Sequence, residues 1–443
     1  MTEPSLTAGL SPLDQAHALR ISGDREGALR LCVALLEAAP EQYGAALLAA
    51  DILDTGGRPL LAGEIAMRVV DAFVRRGDLP AAVVAAHVAE HAGEAGQAPF
   101  GMIAKVFGKG SGRIADVSSS PPPLPTDVQV APVLRKLVGE GLFDRVEKAL
   151  QKLLAEDEKM PEDSKVPELP LFGALPARAL EGFLRSTKIQ DAAEAQEIIA
   201  QGSEGAEAFV LVRGMAKAVR RTDDGETVTL AALGPGSVFG EMALVSDAPR
   251  AASVVAVEPC QLLVMSRAEL EGLARREPAI GRQLGEFCRG RMVSNLIRHS
   301  AILQAVEPEE RGEIVARFTT RTFEPGEALV KQGEETPGLF LIASGVVEVS
   351  SADAEGDRLV LAQLGPGDVV GEISLVLRRP ANADVVATHP TVALELTREG
   401  FQAAIKDHPA LLGELYELAT KREEQTRSVV AQEAVDLEDV VLL

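Results

Sequence analysis

The chain has few aromatic side chains. Its 443 residues contain no Trp, two Tyr and 13 Phe, an aromatic share of 3% against a hydrophobic share of 46%. Several cores can be filled, but with Ala, Leu and Val. Cysteine is also scarce. Cys32, Cys260 and Cys288 are scattered, with no metal-ligand or redox spacing, and a reducing cytoplasm is the simplest home for such a chain. Basic residues are in deficit: 44 Lys and Arg against 66 Asp and Glu leave a net charge of −22. The lack of a basic excess to displace counterions argues against a nonspecific nucleic-acid binder, and no local basic patch stands out. No apolar run reaches transmembrane length. Met1-Thr-Glu-Pro-Ser lacks the basic-then-apolar order of a signal peptide. The length suits about three domains.

Internal repetition organises the second half of the chain. A constant shift of 131 maps Gly202 to Gly333, Gly214 to Gly345, Gly225 to Gly356, Gly234 to Gly365 and Gly236 to Gly367. The same shift maps Gly240 to Gly371, Glu241 to Glu372, Pro249 to Pro380, and Leu171–Leu175 (LFGAL) to Ile302–Val306 (ILQAV). Within each copy, short apolar stretches such as Ala208–Val212 and Leu339–Ile342 are split by turn signals, among them Thr222-Asp-Asp-Gly225, Leu233-Gly-Pro-Gly236 and Leu364-Gly-Pro-Gly367. About eight short strands with glycine corners fit a jelly-roll barrel.

The most informative stretch is Phe239-Gly-Glu-Met-Ala-Leu-Val-Ser-Asp-Ala-Pro-Arg-Ala-Ala-Ser-Val254. It sets a carboxylate, Glu241, nine residues before a guanidinium, Arg250. A carboxylate accepts from a sugar hydroxyl, and an arginine fork pairs with phosphate oxygens. Gly240 permits close backbone approach, and a short helix starting at Glu241 would turn its free N–H groups to an anion. The segment resembles the phosphate-binding cassette of the cyclic-nucleotide-binding domain, as found in regulatory subunits of cAMP-dependent kinase, in catabolite activator protein and in gated channels. The resemblance implies a jelly-roll barrel with helices before and after it. It also implies a ligand site at Phe239, Gly240, Glu241, Met242, Ala243, Arg250, Ala251 and Ala252. Glu241 would take the ribose 2′-OH, Arg250 the cyclic phosphate, with amides near Gly240, Met242 and Ala243 assisting. A hydroxyl directly after the cassette arginine favours cGMP in that family. Ala251 stands there, which matches the cAMP pattern.

The second cassette reads Val370-Gly-Glu-Ile-Ser-Leu-Val-Leu-Arg-Arg-Pro-Ala381. Glu372 is kept, but Ala381 stands at the position equivalent to Arg250. A degenerate second site is expected at Gly371, Glu372, Ile373, Ser374, Arg378, Arg379 and Ala381. Arg378 or Arg379 either reaches in as a substitute or is a solvated loop charge. Phe287 and Tyr416, on helices after the barrels, are candidates to cap the base, or are ordinary packing residues.

The expected architecture is a multidomain α + β chain, an α-helical repeat-like region followed by two β jelly-roll barrels with flanking helices. Residues 1–113 are Ala/Leu-rich and helical by period. Gly23–Ala28 (GDREGA) recurs 34 residues later as Gly57–Ala62 (GRPLLA), with a weaker turn at Gly77-Asp-Leu-Pro80. This spacing resembles tetratricopeptide repeats, whose grooves hold partner peptides; the alternative is a plain bundle docked on the barrels. A Pro/Ser-rich linker follows at 114–131, centred on Ser118–Thr126. A helix and charged linker occupy 132–165, the first barrel domain 166–298, the second 299–430 with a helix at Ala410–Gln425, and an acidic tail 431–443.

His87-Val-Ala-Glu-His91 matches a zinc-peptidase signature, but the helical region around it is too short for such an enzyme. Neither a metal nor catalytic residues are expected. Residues 114–165 hold no Arg-Arg-x-small-apolar inhibitor sequence, and the stretch after the second barrel is too short for a helix-turn-helix, so no DNA-binding domain is expected. The leading expectation is a cytoplasmic cyclic-nucleotide receptor, cAMP preferred over cGMP, signalling to an unknown protein partner through the N-terminal helices. The alternative is a ligand-independent structural adaptor built from the barrels and helices.

Overall fold

The computed structural model describes residues 10–93, 99–115, 128–155, 165–167, 172–173, 175–221, 226–304, 306–352 and 358–441. The Pro-rich stretch 118–126, the glycines at 225 and 356, and parts of the expected linkers lie outside these residues. Two compact units are present. The first comprises residues 1–200, 207–241 and 252–287; the second comprises 201–206, 242–251 and 288–443.

Unit 1 opens with six helices: α1 (Pro12–Ile21), α2 (Arg25–Ala38), α3 (Tyr43–Thr55), α4 (Pro59–Arg76), α5 (Leu79–His91) and α6 (Pro99–Phe107). Local chemistry sets their ends. Ser11 and Asp24 accept from the N–H groups of Asp14 and Gly27 at the starts of α1 and α2, and Asp78 accepts from Ala81 N–H at the start of α5. The glycines singled out by the repeat, Gly23, Gly57 and Gly77, have φ of 92°, 87° and 75°, as tight interhelix turns require. Each helix packs on the next, with hairpins starting at Pro12, Tyr43 and Leu79, an uneven spacing. After the two-residue strand β1 (Ile114–Ala115), helix α7 (Gly139–Ala155) returns across α2, α3 and α4. It buries Leu142, Val146, Leu150 and Leu153, all on one face. Arg58 pairs there with Glu140, Asp144 and Glu147 and lies over the Phe143 ring. Strand β2 (Val166–Pro167) pairs with β1 in parallel.

Helix α8 (Ala177–Ser186) leads into the first barrel, whose strands are β3 (Lys188–Ala192), β4 (Glu197–Ile199), β5 (Glu207–Arg213), β6 (Ala216–Arg221), β7 (Thr227–Leu233), β8 (Val238–Phe239), β9 (Ser253–Ala256) and β10 (Cys260–Ser266). They form two four-stranded sheets ordered β3-β10-β5-β8 and β4-β9-β6-β7. Phe209, Leu211, Phe239, Leu262 and Val264 fill the space between them. The helical region packs against this barrel. Arg213 on β5 pairs with Asp14 at 2.7 Å, Arg20 reaches Asp191 at 2.5 Å and Asp51 at 3.3 Å, and Arg185 meets Glu90 at 3.0 Å. His17 is buried beside Arg213 and Arg20. Desolvation first, and those two cations next, hold its pKa well below the usual histidine range.

Two helices follow the barrel, α9 (Arg267–Arg276) and α10 (Pro278–His299), then the short α11 (Ala301–Gln304) and α12 (Arg311–Ala316). The second barrel lies in unit 2: β11 (Thr319–Phe323), β12 (Ala328–Val330), β13 (Gly338–Ser344), β14 (Val347–Ala352), β15 (Arg358–Leu364), β16 (Val369–Val370), β17 (Asp384–Ala387) and β18 (Thr391–Thr397). Its sheets, β11-β18-β13-β16 and β12-β17-β14-β15, repeat the first barrel's order. The shift of 131 relates both ends of all eight strands, from Lys188/Thr319 to Ser266/Thr397. Helix α13 (Glu372–Leu377) occupies the cassette, and α14 (Arg398–Asp407) and α15 (Pro409–Val441) follow. Helix α15 continues past Gln425 to Val441, through a stretch without Gly or Pro to stop it; the expected acidic tail from 431 thus begins within this helix.

Candidate functional site

In unit 1, Phe239 ends β8 and is 5% exposed, its ring stacked on Phe209 at 5.4 Å. It anchors the strand from inside the core. Gly240 follows with φ of 71°, a left-handed conformation that disfavours side chains. Glu241 then opens a 3₁₀ helix through Leu244 and is 5% exposed. Carboxylates are seldom buried without a partner or a task.

In unit 2, Ala243 and Leu244 are buried, and Met242 packs against the apolar cluster built on Leu296, Leu303, Leu339 and Leu415. The Arg250 loop is clasped by main-chain bonds: Arg250 N–H donates to Ser203 O at 2.9 Å, and Gly202 N–H donates to Arg250 O at 2.8 Å. The guanidinium lies over Gly205, where a Cβ would stand 2.5 Å from Nη2, so a larger residue there would displace the arginine head. Ala251 is exposed and Ala252 is half-buried.

The second cassette lies wholly in unit 2, beside a cavity of about 180 Å³. Gly371, Glu372, Ile373, Ser374 and Ala381 line it. Gly371 has φ of 88°, and a Cβ on it would stand 2.5 Å from Gly338 O. Glu372 is 3% exposed and pairs with Arg422 Nη1 at 2.8 Å. Arg422 comes from α15, also donates to Val369 O, and lines the cavity with Gln425 and Thr426. Ala381 is 8% exposed and belongs to the barrel core. Among the described residues, the cavity wall includes neither Arg378 nor Arg379. Arg378 is exposed in a left-handed conformation at φ 54°. Arg379 pairs with Glu423, and its carbonyl accepts from Ser374 Oγ at 2.6 Å. The sequence reading missed Arg422. The signal was present, because the 131 shift maps Arg291 onto Arg422, but it lies fifty residues from Glu372 on another element. Of the base-cap candidates, Phe287 is half-buried on α10 and Tyr416 is 55% exposed on α15.

The two histidines of the peptidase-like pattern face different partners, His87 Nε2 meeting Thr187 Oγ1 at 2.9 Å and His91 Nδ1 meeting Asp54 at 2.5 Å. Burial pushes the Cys32 and Cys260 thiols up to about 12, which suppresses thiolate chemistry near neutral pH. Among the described residues, no helix is long and apolar enough to cross a membrane.

Residues 190–277 and 320–408 each match the cyclic nucleotide-binding domain family. A cAMP-dependent protein kinase regulatory subunit of Yarrowia lipolytica is 33% identical over 232 residues, 52% of this chain and 58% of that protein. Its counterpart in Emericella nidulans is 29% identical over 213 residues, 46% and 49% of the two chains. The chain thus spans about half the length of the curated relatives it matches. Among solved structures, the regulatory domain of Toxoplasma gondii PKA with cAMP is 24% identical, covering 58% of this chain and 92% of that one at a TM-score of 0.27. Thermus thermophilus catabolite activator protein is 30% identical, covering 33% and 65% at a TM-score of 0.28. The chain thus carries two cyclic nucleotide-binding domains in tandem, at residues 190–277 and 320–408.

Proposed function

We propose that the chain is a non-catalytic receptor for a cyclic nucleotide, cAMP preferred over cGMP, with the ligand held in the first domain. The complete cassette Phe239–Ala252, inside a domain of this family, carries the reading. In it Glu241 accepts from the ribose hydroxyl, Arg250 pairs with the cyclic phosphate, and amides near Gly240, Met242 and Ala243 complete the anion contact. Ala251 offers no hydroxyl to a guanine amino group, which favours cAMP. The relatives named cAMP-dependent kinase regulatory subunits support the same ligand and a non-enzymatic role.

Output passes through protein contacts, in a cytoplasmic setting. The ion pairs joining Asp14 and Arg20 to the first barrel, and Glu90 to α8 just ahead of it, make the N-terminal helices a continuous extension of that domain. A change in the barrel on binding would bias the surface those helices present, provided that ligand affinity differs between the two arrangements. Isothermal calorimetry of the purified chain tests the proposal. One mole of cAMP per chain is expected at micromolar concentration, with weaker binding of cGMP. No heat of binding up to millimolar cAMP sinks it.

A further inference from the structure

We infer that the N-terminal helices of unit 1 are a receptor for an acid-edged amphipathic helix of a partner protein, and that α7 is a resident occupant which such a helix displaces. The seat of α7 meets every part of a helix. At one end Glu26 on α2 accepts from Gly139 N–H at 2.9 Å, and at the other Arg68 on α4 donates to Leu154 O at 3.4 Å. Groups of other helices thus satisfy its terminal donors and acceptors. Arg30 on α2 holds the lead-in by donating to Leu137 O at 2.9 Å. Along one edge Arg58 faces Glu140, Asp144 and Glu147, the last two at 3.0 Å. The Phe143 ring lies under that guanidinium and against the α3–α4 turn, where a Cβ on Gly56 would come within 3.1 Å of it. Leu142, Val146, Leu150 and Leu153 are buried on the inner face.

The chemistry of the incoming helix follows from this seat. Counted from Glu140, it carries carboxylates at i, i+4 and i+7, an aromatic ring at i+3, and apolar residues at i+2, i+6, i+10 and i+13. The topology makes α7 exchangeable. The chain leaves β1 at Ala115 and returns to pair with that strand, Ile114 opposite Val166. Helix α7 therefore lies on an excursion whose two ends are pinned together. It leaves its seat without shifting the six helices before it, each of which packs on the next. The carboxylates that meet Arg58 keep 79%, 69% and 40% of their side-chain surface exposed. Pairs so solvated select the charge of the occupant more than they fix it in place. A helix of 17 residues is marginal once its docking face is lost. Being tethered, α7 competes at high effective concentration, which leaves the open seat a minor population. The inference deepens the proposal that output passes through these helices and rests on it; its test uses no nucleotide, so its failure leaves the receptor reading standing.

The probe is a fluorescent synthetic peptide of residues 137–155, titrated into the full chain and read by anisotropy. Val146→Asp together with Leu150→Asp in the chain unseats α7. That double variant is expected to bind one equivalent of peptide at least about tenfold more tightly than the parent does. Adding Arg58→Glu to it should weaken the native peptide about tenfold, and a peptide with Glu140→Lys, Asp144→Lys and Glu147→Lys should recover the loss. Thermal melts check the fold. If the double variant does not fold, hydrogen exchange of the isotope-labelled parent decides, because excess unlabelled peptide should speed exchange along 139–155 and leave α1–α6 unchanged. The inference is overturned by a folded double variant that ignores the peptide at millimolar concentration, by equal affinity of parent and variant, by binding indifferent to Arg58→Glu, or by exchange along 139–155 that the peptide does not alter. Parent dimers that the double variant cannot form would give the seat to a second copy of the chain, and overturn the external partner as well.

Discussion

Arg250 and Glu241 should contribute unequally to affinity. Losing a charge-assisted contact to a desolvated phosphate costs of order 2–5 kcal/mol, about 30- to 1,000-fold or more in affinity. Arg250→Ala should therefore remove most cAMP binding and keep its melting temperature, because the loop is held by main-chain bonds to Ser203 and Gly202. Glu241→Ala should lose less, about 0.5–3 kcal/mol, if only a hydroxyl contact goes. Titration with cAMP and cGMP beside a thermal melt separates the two, and an Arg250→Ala protein that binds like the parent removes the phosphate assignment. A second prediction concerns His17. Its folded pKa is depressed, so the unfolded chain binds the proton more readily. Stability is then full above the ordinary histidine pKa of about 6.5 and falls as pH drops below it. The groups facing His17 are Arg213 and Arg20, both cationic throughout this range. The melting temperature should decline from pH 7.5 towards 5.5, and His17→Gln should flatten that decline; an identical slope in both proteins discards the assignment. At this scale, the two cassettes stand out in the sequence because each is a contiguous segment repeated at a constant shift. Arg422 does not, because its partner Glu372 is brought to it by folding; the shift of 131 pairs it with Arg291 but does not say what either arginine faces.

Among the elements, strands were the most legible. Glycine corners and short apolar runs mark them, and two copies in register confirm each other. The helices were harder to delimit. The equivalent stretches that start at Glu241 and Glu372 form a four-residue 3₁₀ helix in one copy and a six-residue α-helix in the other, a difference the shared repeat does not foretell. Helix α7 shows another limit. A helix within 132–165 was expected, but not the surface it would cover. Arg58 fixes that surface by meeting three carboxylates on successive turns of α7. Arg58→Ala should speed amide hydrogen exchange severalfold across 139–155 and leave β3–β10 unchanged, since an isolated helix of this length is marginal without its docking contacts. Unchanged protection along α7 would show that its apolar face alone holds it.

For the whole molecule, tandem organisation was legible from one number, the constant shift. How the N-terminal helices pack on the first barrel was not. It rests on pairs such as Arg213–Asp14, about two hundred residues apart in sequence, for which a single sequence holds no signal. The equal lengths of the two copies have a practical consequence. Residues 241–252 and 372–383 leave equivalent strands, β8 and β16, and enter equivalent strands, β9 and β17, after the same number of residues. They are cartridges of equal length: replacing 372–383 by the sequence of 241–252 keeps the register of the flanking strands. The graft carries an arginine into the place of Ala381, beside Glu372's pairing partner Arg422, and should give the chain a second equivalent of cAMP in calorimetry. A folded graft that still binds only one would locate the specificity of each barrel in its walls and closing helix. The identity of each domain's ligand would then be a property of the frame, with the cassette merely fitted to it.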